Sequence, residues 1–120
     1  MTMDLYGIPN CDTVKKARKW LDEQGLAHTF HDYKKEGADP VKVERWIGVE
    51  GIDVVLNRRG TTWRKLDEGE KARAGDAIGA VALLVEHPSM IKRPVVEHDA
   101  KNGAGLLIGF DAAKWQEELV

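Results

Sequence analysis

The sequence predicts one α/β domain over residues 1–120, with a mixed four-stranded sheet and a helical insertion at about residues 38–90. Three observations support this prediction: a strand, helix, strand pattern at the start, helical periodicity through the middle third, and two further β-prone runs followed by a helix at the end. No internal repeat and no linker rich in Pro, Gly and Ser divides the chain, which favours one compact unit.

The opening residues predict a βαβ unit. Residues 3–8 form a short apolar run closed by a Pro-Asn pair, as expected of a strand that ends at a turn. Apolar residues then keep helical spacing over residues 13–21, and Gly25 stands where a helix ends. Residues 28–33 (HTFHDY) alternate like a second strand. Two strands joined by a crossover helix are parallel, so we expect these two to pair in that way.

The middle third is predicted to be mainly helical. Pro40 suits the first turn of a helix, and residues 76–88 (DAIGAVALLVEHP) are typical of a buried helix ended by its proline. Between these two helices, a short apolar piece at residues 52–60 leads into a polar stretch around residues 61–65.

The spacing of apolar residues changes from helical to β-type after this helical block. Residues 93–99 (RPVVEHD) and 104–110 (AGLLIGF) are β-prone, and the Asn102-Gly103 pair between them is a hairpin signal, so they should pair antiparallel. Asp111 then caps a final amphipathic helix. The whole order of elements is that of a thioredoxin-like fold with a helical insertion.

Composition limits the classes of function. Charged residues make up 32% of the chain with a net charge of only -2, so no strong field recruits DNA or an anionic membrane. The N-terminus lacks the pattern of a secretion signal, and no apolar run is long enough for a membrane helix. We expect a cytoplasmic monomer that binds neither DNA directly nor a membrane.

Cys11 is the only cysteine in the chain, and two interpretations of it are open. It stands at or beside the N-terminus of the first predicted helix, where unpaired backbone N–H groups and the helix dipole favour a thiolate. Its polar neighbours Asn10, Thr13 and Lys15 favour this reactive interpretation and are predicted to bind substrate. The alternative is a small apolar residue that is buried as a spacer, which is a common fate of free cysteine.

Arginines supply the second candidate group. Arg58 follows an apolar run, and Arg93 directly precedes Pro94 at the start of a predicted strand. Guanidinium groups hold oxyanions and carboxylates in a bidentate manner, so a thiolate near two arginines would make an oxyanion or carboxylate site. Taken singly, each arginine is better explained as a solvated surface residue. The four histidines show no metal-ligand spacing with the cysteine, and we predict no metal.

Four segments in order resemble the ArsC-like arsenate reductase family, in particular its Spx-related and YffB-type branch. They are YGIPNCDTVKKARKWL near the start, LNRRG in the middle, and HPSMIKRPVV and GLLIGF near the end. The similarity covers essentially the whole chain. It implies the same thioredoxin-like fold with a helical insertion.

The resemblance also implies roles for particular residues. Cys11 takes the place of the catalytic nucleophile, Arg58 that of the arginine after the helical segment, and Arg93 that of the arginine before a cis-proline. The family likeness makes Pro94 and Val95 candidates to contact a thiol peptide such as glutathione.

The chain departs from the family pattern at three positions. Gly7 and Gly109 stand where arsenate reductases of this family carry a histidine and a third arginine, so two groups that support arsenate chemistry are missing. Val14 replaces the second cysteine of the CxxC motif found in many Spx regulators, which excludes a disulfide switch within the chain.

One thiol without a resolving partner needs an external thiol to release a mixed disulfide. The leading hypothesis is therefore a thiol-disulfide oxidoreductase that uses Cys11 as nucleophile, glutathione as co-substrate, and Arg58 and Arg93 to bind a small thiol or oxyanion substrate. A non-catalytic Spx-like regulator that binds a protein partner such as RNA polymerase is the alternative. Arsenate reduction is a third possibility, weakened by the two glycines.

Overall fold

A computed structural model describes residues 2–100 and 104–120, and the chain in it divides into two compact units. The first unit combines the N-terminal segment up to Tyr33 with Arg93–Val120, and the second is Lys34–Lys92. The first contains the sheet and the helices that pack on it, whereas the second is helical.

The elements follow the predicted order. The first unit contains β1 (Met3–Gly7), α1 (Asp12–Glu23), β2 (Thr29–Asp32), β3 (Val95–His98), β4 (Gly105–Ile108) and α8 (Ala112–Leu119). A short helix α2 (Tyr33–Glu36) begins at the last residue of that segment. The second unit contains α3 (Pro40–Glu50), α4 (Ile52–Val55), α5 (Thr61–Arg64), α6 (Glu68–Ala72), α7 (Ala77–Glu86) and two 3-10 turns, Arg73–Gly75 and Pro88–Met90.

The four strands form one mixed sheet in the order β2-β1-β3-β4. β1 pairs with β2 in parallel, while β3 is antiparallel to both β1 and β4. The predicted mixed four-stranded sheet is therefore confirmed. The Asn102-Gly103 hairpin signal lies outside the described residues, although the strands on either side of it pair as expected.

One face of the sheet carries the apolar core of the first unit. Helix α1 contributes Val14, Ala17 and Leu21, which are fully buried at helical spacing, and α8 contributes Trp115 and Leu119. The strand residues in the same cluster are Met3, Leu5, Val96 and Leu107. Because side chains alternate along a strand, the residues between them project to the opposite face.

The helices of the second unit begin at capped residues. Asp39 accepts a hydrogen bond from the Val41 N–H at the start of α3, and Asp76 accepts one from the Gly79 N–H at the start of α7. Both arrangements satisfy donors that a helix start leaves unpaired. α3 and α7 pack together. Their buried residues are Val43, Trp46, Ile47, Ala80, Leu83 and Leu84.

One local expectation differs from the structure. The second strand ends at Asp32, and Tyr33 opens helix α2 rather than ending the strand. The segments at 52–60 and 61–65 contain the short helices α4 and α5, as expected of a mainly helical middle third. No helix within the described residues is both long and apolar enough to cross a membrane.

Candidate active site

The strand register brings four chain segments to one edge of the sheet. Gly7, the last residue of β1, lies opposite Asp32, the last residue of β2. On the other side of β1, Tyr6 lies opposite Val95, the first residue of β3. The fourth segment follows β4, which ends next to the start of β3 because Val95 is paired with Ile108. The residues that follow β1, β2 and β4 and those that precede β3 therefore share this edge.

Cys11 lies in the segment that follows β1. It is the N-cap residue of the 12-residue helix α1, with an extended backbone, and its carbonyl accepts a hydrogen bond from the Lys15 N–H at 2.9 Å. The side chain is half-buried and packs against the apolar core. Cys11 is thus neither fully buried as a spacer nor remote from solvent. It stands at the positive end of the helix dipole, although its side chain makes no capping hydrogen bond.

The other residues predicted at this helix start are exposed. Asn10 precedes the cysteine, while Thr13 and Lys15 lie in the first turn of α1. Asp12, the first residue of the helix, adds a negative charge to the same turn. Exposed side chains in these positions can contact a ligand. The backbone N–H groups of the first turn of α1 form the rigid part of this end of the site.

The segment before β3 contains a cis peptide bond between Arg93 and Pro94, as the family resemblance implies. Pro94 and Val95 are buried and Arg93 is half-buried. The Pro94 carbonyl accepts a hydrogen bond from the Gly109 N–H at 2.8 Å, and the Gly109 carbonyl accepts one from the Trp115 indole at 3.1 Å. The cis-proline segment is therefore tied through Gly109 to helix α8.

Tyr33 is a site residue that the sequence analysis did not predict. Its side chain is only 2% exposed and is hydrogen-bonded to the Arg93 guanidinium. Burial raises the pKa of the Tyr33 phenol, and Arg93 opposes this effect, while Cys11 and Asp32 add to it. The phenol therefore interacts with both the predicted nucleophile and the predicted cation. A tyrosine directly after a strand, at the edge where the cysteine lies, was the available signal.

Arg58 belongs to the second unit. Its guanidinium donates to the Asp53 carboxylate at 2.6 Å and lies over the Trp63 ring at 5.4 Å from the centroid. It also lines an open pocket of about 250 Å³ together with Arg59 and Lys92. The charge of Arg58 is thus partly neutralised by Asp53, and other basic side chains lie nearby. Arg93, in contrast, is bonded to a phenol.

The two glycines that depart from the arsenate reductase pattern have structural reasons to be glycine. A Cβ atom on Gly7 would lie 2.8 Å from Cγ2 of Val14, closer than side chains normally approach. Gly109 has a φ of 80°, in the left-handed region that favours glycine. A histidine or an arginine at these positions would require the local backbone or packing to change.

One group of side chains in the second unit has the composition of a cation site. Ligand atoms of Glu70, Glu86 and His87 lie within 4.8 Å of one another. Arg73, however, already donates to Glu70 at 3.1 Å and to Glu86 at 2.6 Å. The carboxylates are paired with a guanidinium, and this group is better described as an ion-pair cluster.

Comparison with known proteins identifies the family. The model of the ArsC family matches residues 6–118. This chain belongs to the ArsC family. Among its relatives, an uncharacterized protein of Haemophilus influenzae is 44% identical over 112 residues, which cover 93% of this chain and 94% of the relative.

Solved structures of ArsC-family proteins share the fold. The YffB protein is 48% identical, with a TM-score of 0.90 over 99% of this chain and all of that protein. An arsenate reductase-related protein of Brucella melitensis is 47% identical, with a TM-score of 0.72 over 98% of this chain and 93% of that one. The predicted thioredoxin-like α/β fold and the Spx-related, YffB-type branch are confirmed.

More distant relatives carry two kinds of function. An arsenate reductase of Rhizobium meliloti is 26% identical over 98 residues, covering 80% of this chain and 69% of the relative. The global transcriptional regulator Spx of Bacillus subtilis is 26% identical over 94 residues, covering 77% and 70%. The chain thus has the fold of ArsC-family thiol oxidoreductases, which catalysts and regulators both use.

Proposed function

We propose that this protein is a glutathione-dependent thiol-disulfide oxidoreductase with Cys11 as its single nucleophile. The observation that carries the proposal is the position of Cys11 at the N-cap of α1, on the sheet edge that also holds the cis peptide between Arg93 and Pro94. A thiolate at a helix N-terminus is stabilised by backbone N–H groups and by the dipole.

The chemistry consists of two thiol-disulfide exchanges. In the first, the Cys11 thiolate attacks the glutathionyl sulfur of a mixed disulfide, the disulfide bond breaks, and the other sulfur leaves as a thiolate that solvent protonates. In the second, glutathione thiolate attacks the Cys11 mixed disulfide, forms oxidised glutathione and releases the Cys11 thiolate. Glutathione supplies the electrons because the chain has one cysteine and no resolving thiol.

The remaining predicted residues have roles in binding. Arg93 pairs with a carboxylate of glutathione, and Arg58 binds a second anionic group of the substrate. Pro94 and Val95 are the residues proposed to contact the peptide, at the start of β3. Asn10, Thr13 and Lys15 supply polar contacts around the sulfur. This set needs no metal.

The test begins with Cys11 itself. Incubation with oxidised glutathione should add one glutathione to the protein, as measured by intact mass, and added glutathione should remove it. Turnover is then measured with the mixed disulfide of glutathione and 2-mercaptoethanol. Cys11→Ser should abolish both the adduct and the turnover while leaving the melting temperature within a few degrees, since the side chain is only half-buried. A Cys11 that forms no adduct in the folded protein contradicts the proposal.

Exposed apolar side chains favour a second candidate, a regulator that binds a protein partner in the manner of Spx. Val41 is 74% exposed, Val49 is 61% exposed and Ile78 is 87% exposed, all in the helical second unit. Co-purification of an RNA polymerase subunit, lost when Val41, Val49 and Ile78 are replaced by Ser and kept in Cys11→Ser, would support this candidate. Arsenate reduction is the third, and an assay with arsenate and glutathione tests it directly.

A further inference from the structure

We propose that Tyr33 is a positioning residue that holds the Arg93 guanidinium at the sheet edge where Cys11 lies. Its effect on turnover rests on the proposed function, but its effect on the surroundings of the thiol does not.

The geometry of the sheet carries the first step. Tyr33 directly follows β2, and Arg93 lies two residues before β3. Because β1 lies between these strands, the two side chains come from opposite sides of the strand that leads to Cys11. Their hydrogen bond therefore links two strands that are not neighbours, at the end of β1 from which the chain continues to the cysteine.

Hydrogen-bond chemistry sets the direction of this contact. A guanidinium has N–H donors and no acceptor, so the Tyr33 oxygen must accept from Arg93. The phenol is almost fully buried, and buried polar groups require partners. Burial also raises the pKa of the phenol, which keeps it neutral. Tyr33 thus orients the cation but, unlike a carboxylate, brings no negative charge to it.

Arg58 and Arg93 differ in the charge of their bonding partners. Arg58 is paired with the Asp53 carboxylate, which reduces the net charge at that site. The phenol that bonds to Arg93 carries no charge of its own, so this contact orients the guanidinium without neutralising it. Removal of the phenol oxygen should therefore leave the charge present but less firmly oriented toward the thiol.

Alkylation with a matched pair of reagents measures the field at the thiol. Iodoacetate is anionic and iodoacetamide is neutral, so the ratio of their rates with Cys11 reports the positive charge held near the sulfur. We expect Tyr33→Phe to lower this ratio about fivefold, as for a unit charge that moves several ångströms away in a partly solvated site. Tyr6→Phe is the control, because its hydroxyl donates to the Glu97 carboxylate, and it should leave the ratio unchanged.

A double-mutant cycle separates positioning from a general structural effect. Arg93→Met should lower the ratio at least as much as Tyr33→Phe, and adding Tyr33→Phe to Arg93→Met should change it no further. If the two effects are additive, or if Tyr6→Phe lowers the ratio as much as Tyr33→Phe, the proposal is overturned.

A second measurement does not depend on the stability of Tyr33→Phe. The chain has two tyrosines, so in the Tyr6→Phe protein a fluorotyrosine label reports Tyr33 alone. Its ¹⁹F resonance should shift when Arg93→Met is introduced, and an unchanged resonance would contradict the hydrogen bond.

Turnover distinguishes the two proposals. In an active enzyme, Tyr33→Phe should raise KM for the mixed disulfide about fivefold with a smaller change in kcat, since positioning of a binding cation affects both substrate and transition state. If the protein shows no turnover but the alkylation ratio depends on Tyr33, the proposed function is refuted and the positioning role stands. Turnover with a ratio that is independent of Tyr33 would refute the positioning role alone.

Discussion

The two units of this chain hold their candidate arginines in different ways. In the sheet unit, Arg93 is half-buried and bonded to the buried phenol of Tyr33. In the helical unit, the Arg58 side chain is 40% exposed and its partner Asp53 is 89% exposed. Exposed ion pairs contribute little because water and salt screen them. The comparison indicates that the sheet unit fixes charge by burial, whereas the helical unit holds it in a pair that solvent readily replaces.

The largest expected difference is in activity. Arg93→Met should lower kcat/KM with the mixed disulfide about 100-fold, because the variant lacks the charge-assisted contact between a half-buried, oriented cation and the substrate. Arg58→Met should lower it by about tenfold or less. Steady-state kinetics of the two variants at equal ionic strength measure both values. Equal losses would show that burial of the arginine does not decide its contribution.

Glycine substitutions extend the comparison to packing. Gly7→Ala places a methyl group against Val14 and should lower the free energy of unfolding by about 1–3 kcal/mol. Gly48→Ala, within α3 with open space around the added Cβ, should raise it by about 0.5–1 kcal/mol. Urea denaturation gives both values.

A rescue variant tests the cause of the first effect. Val14→Ala removes the methyl groups that a Cβ on residue 7 would meet. Gly7→Ala should therefore lower the free energy of unfolding less in the Val14→Ala protein than in the unaltered protein. Failure of this rescue would mean that the approach of α1 to β1 is not the reason for a glycine.

The raised pKa of Tyr33 predicts a loss of stability in alkali. A tyrosine in the unfolded chain ionises near pH 10, while the buried phenol stays protonated to higher pH. The folded state then binds more protons than the unfolded state, so stability falls as pH rises above about 10, with a slope of up to about 1.4 kcal/mol per pH unit from this group. Below the pKa of the unfolded chain the contribution is constant. Tyr33→Phe should flatten the decline, as measured by urea denaturation from about pH 8 to about pH 11.

The smallest expected effect concerns the exposed pair of the helical unit. Asp53→Asn removes the charge that faces Arg58 and should change the free energy of unfolding by about 0.5 kcal/mol or less. The difference should disappear in high salt. A loss of about 2 kcal/mol would be larger than an exposed ion pair contributes, which would remove the distinction between the units.

Local signals explain why so much of the architecture was predictable. Val14, Ala17 and Leu21 mark the buried face of α1 because helical periodicity is a property of adjacent turns. Asp76 and Asp111 cap their helices through N–H groups two or three residues away. Cys11 at the start of α1 follows from the same kind of short-range information.

Other features depend on residues far apart in the chain. Gly7 must be small because α1 packs against the end of β1, and Gly109 must adopt a positive φ where it links Pro94 to Trp115. The hydrogen bond between Tyr33 and Arg93 joins residues 60 positions apart, and no periodicity predicts such a contact.

The sequence by itself determined the order of the elements, the mixed pairing of the strands, the place of the single thiol at a helix start and the family. Only the tertiary structure decided that Tyr33 leaves the strand and binds Arg93, and that Arg58 is paired with Asp53. The physical reason is one of range. Helix caps, periodicity and turns are set by neighbouring residues, whereas partners of buried polar groups are chosen by strand register and packing, which bring distant segments together.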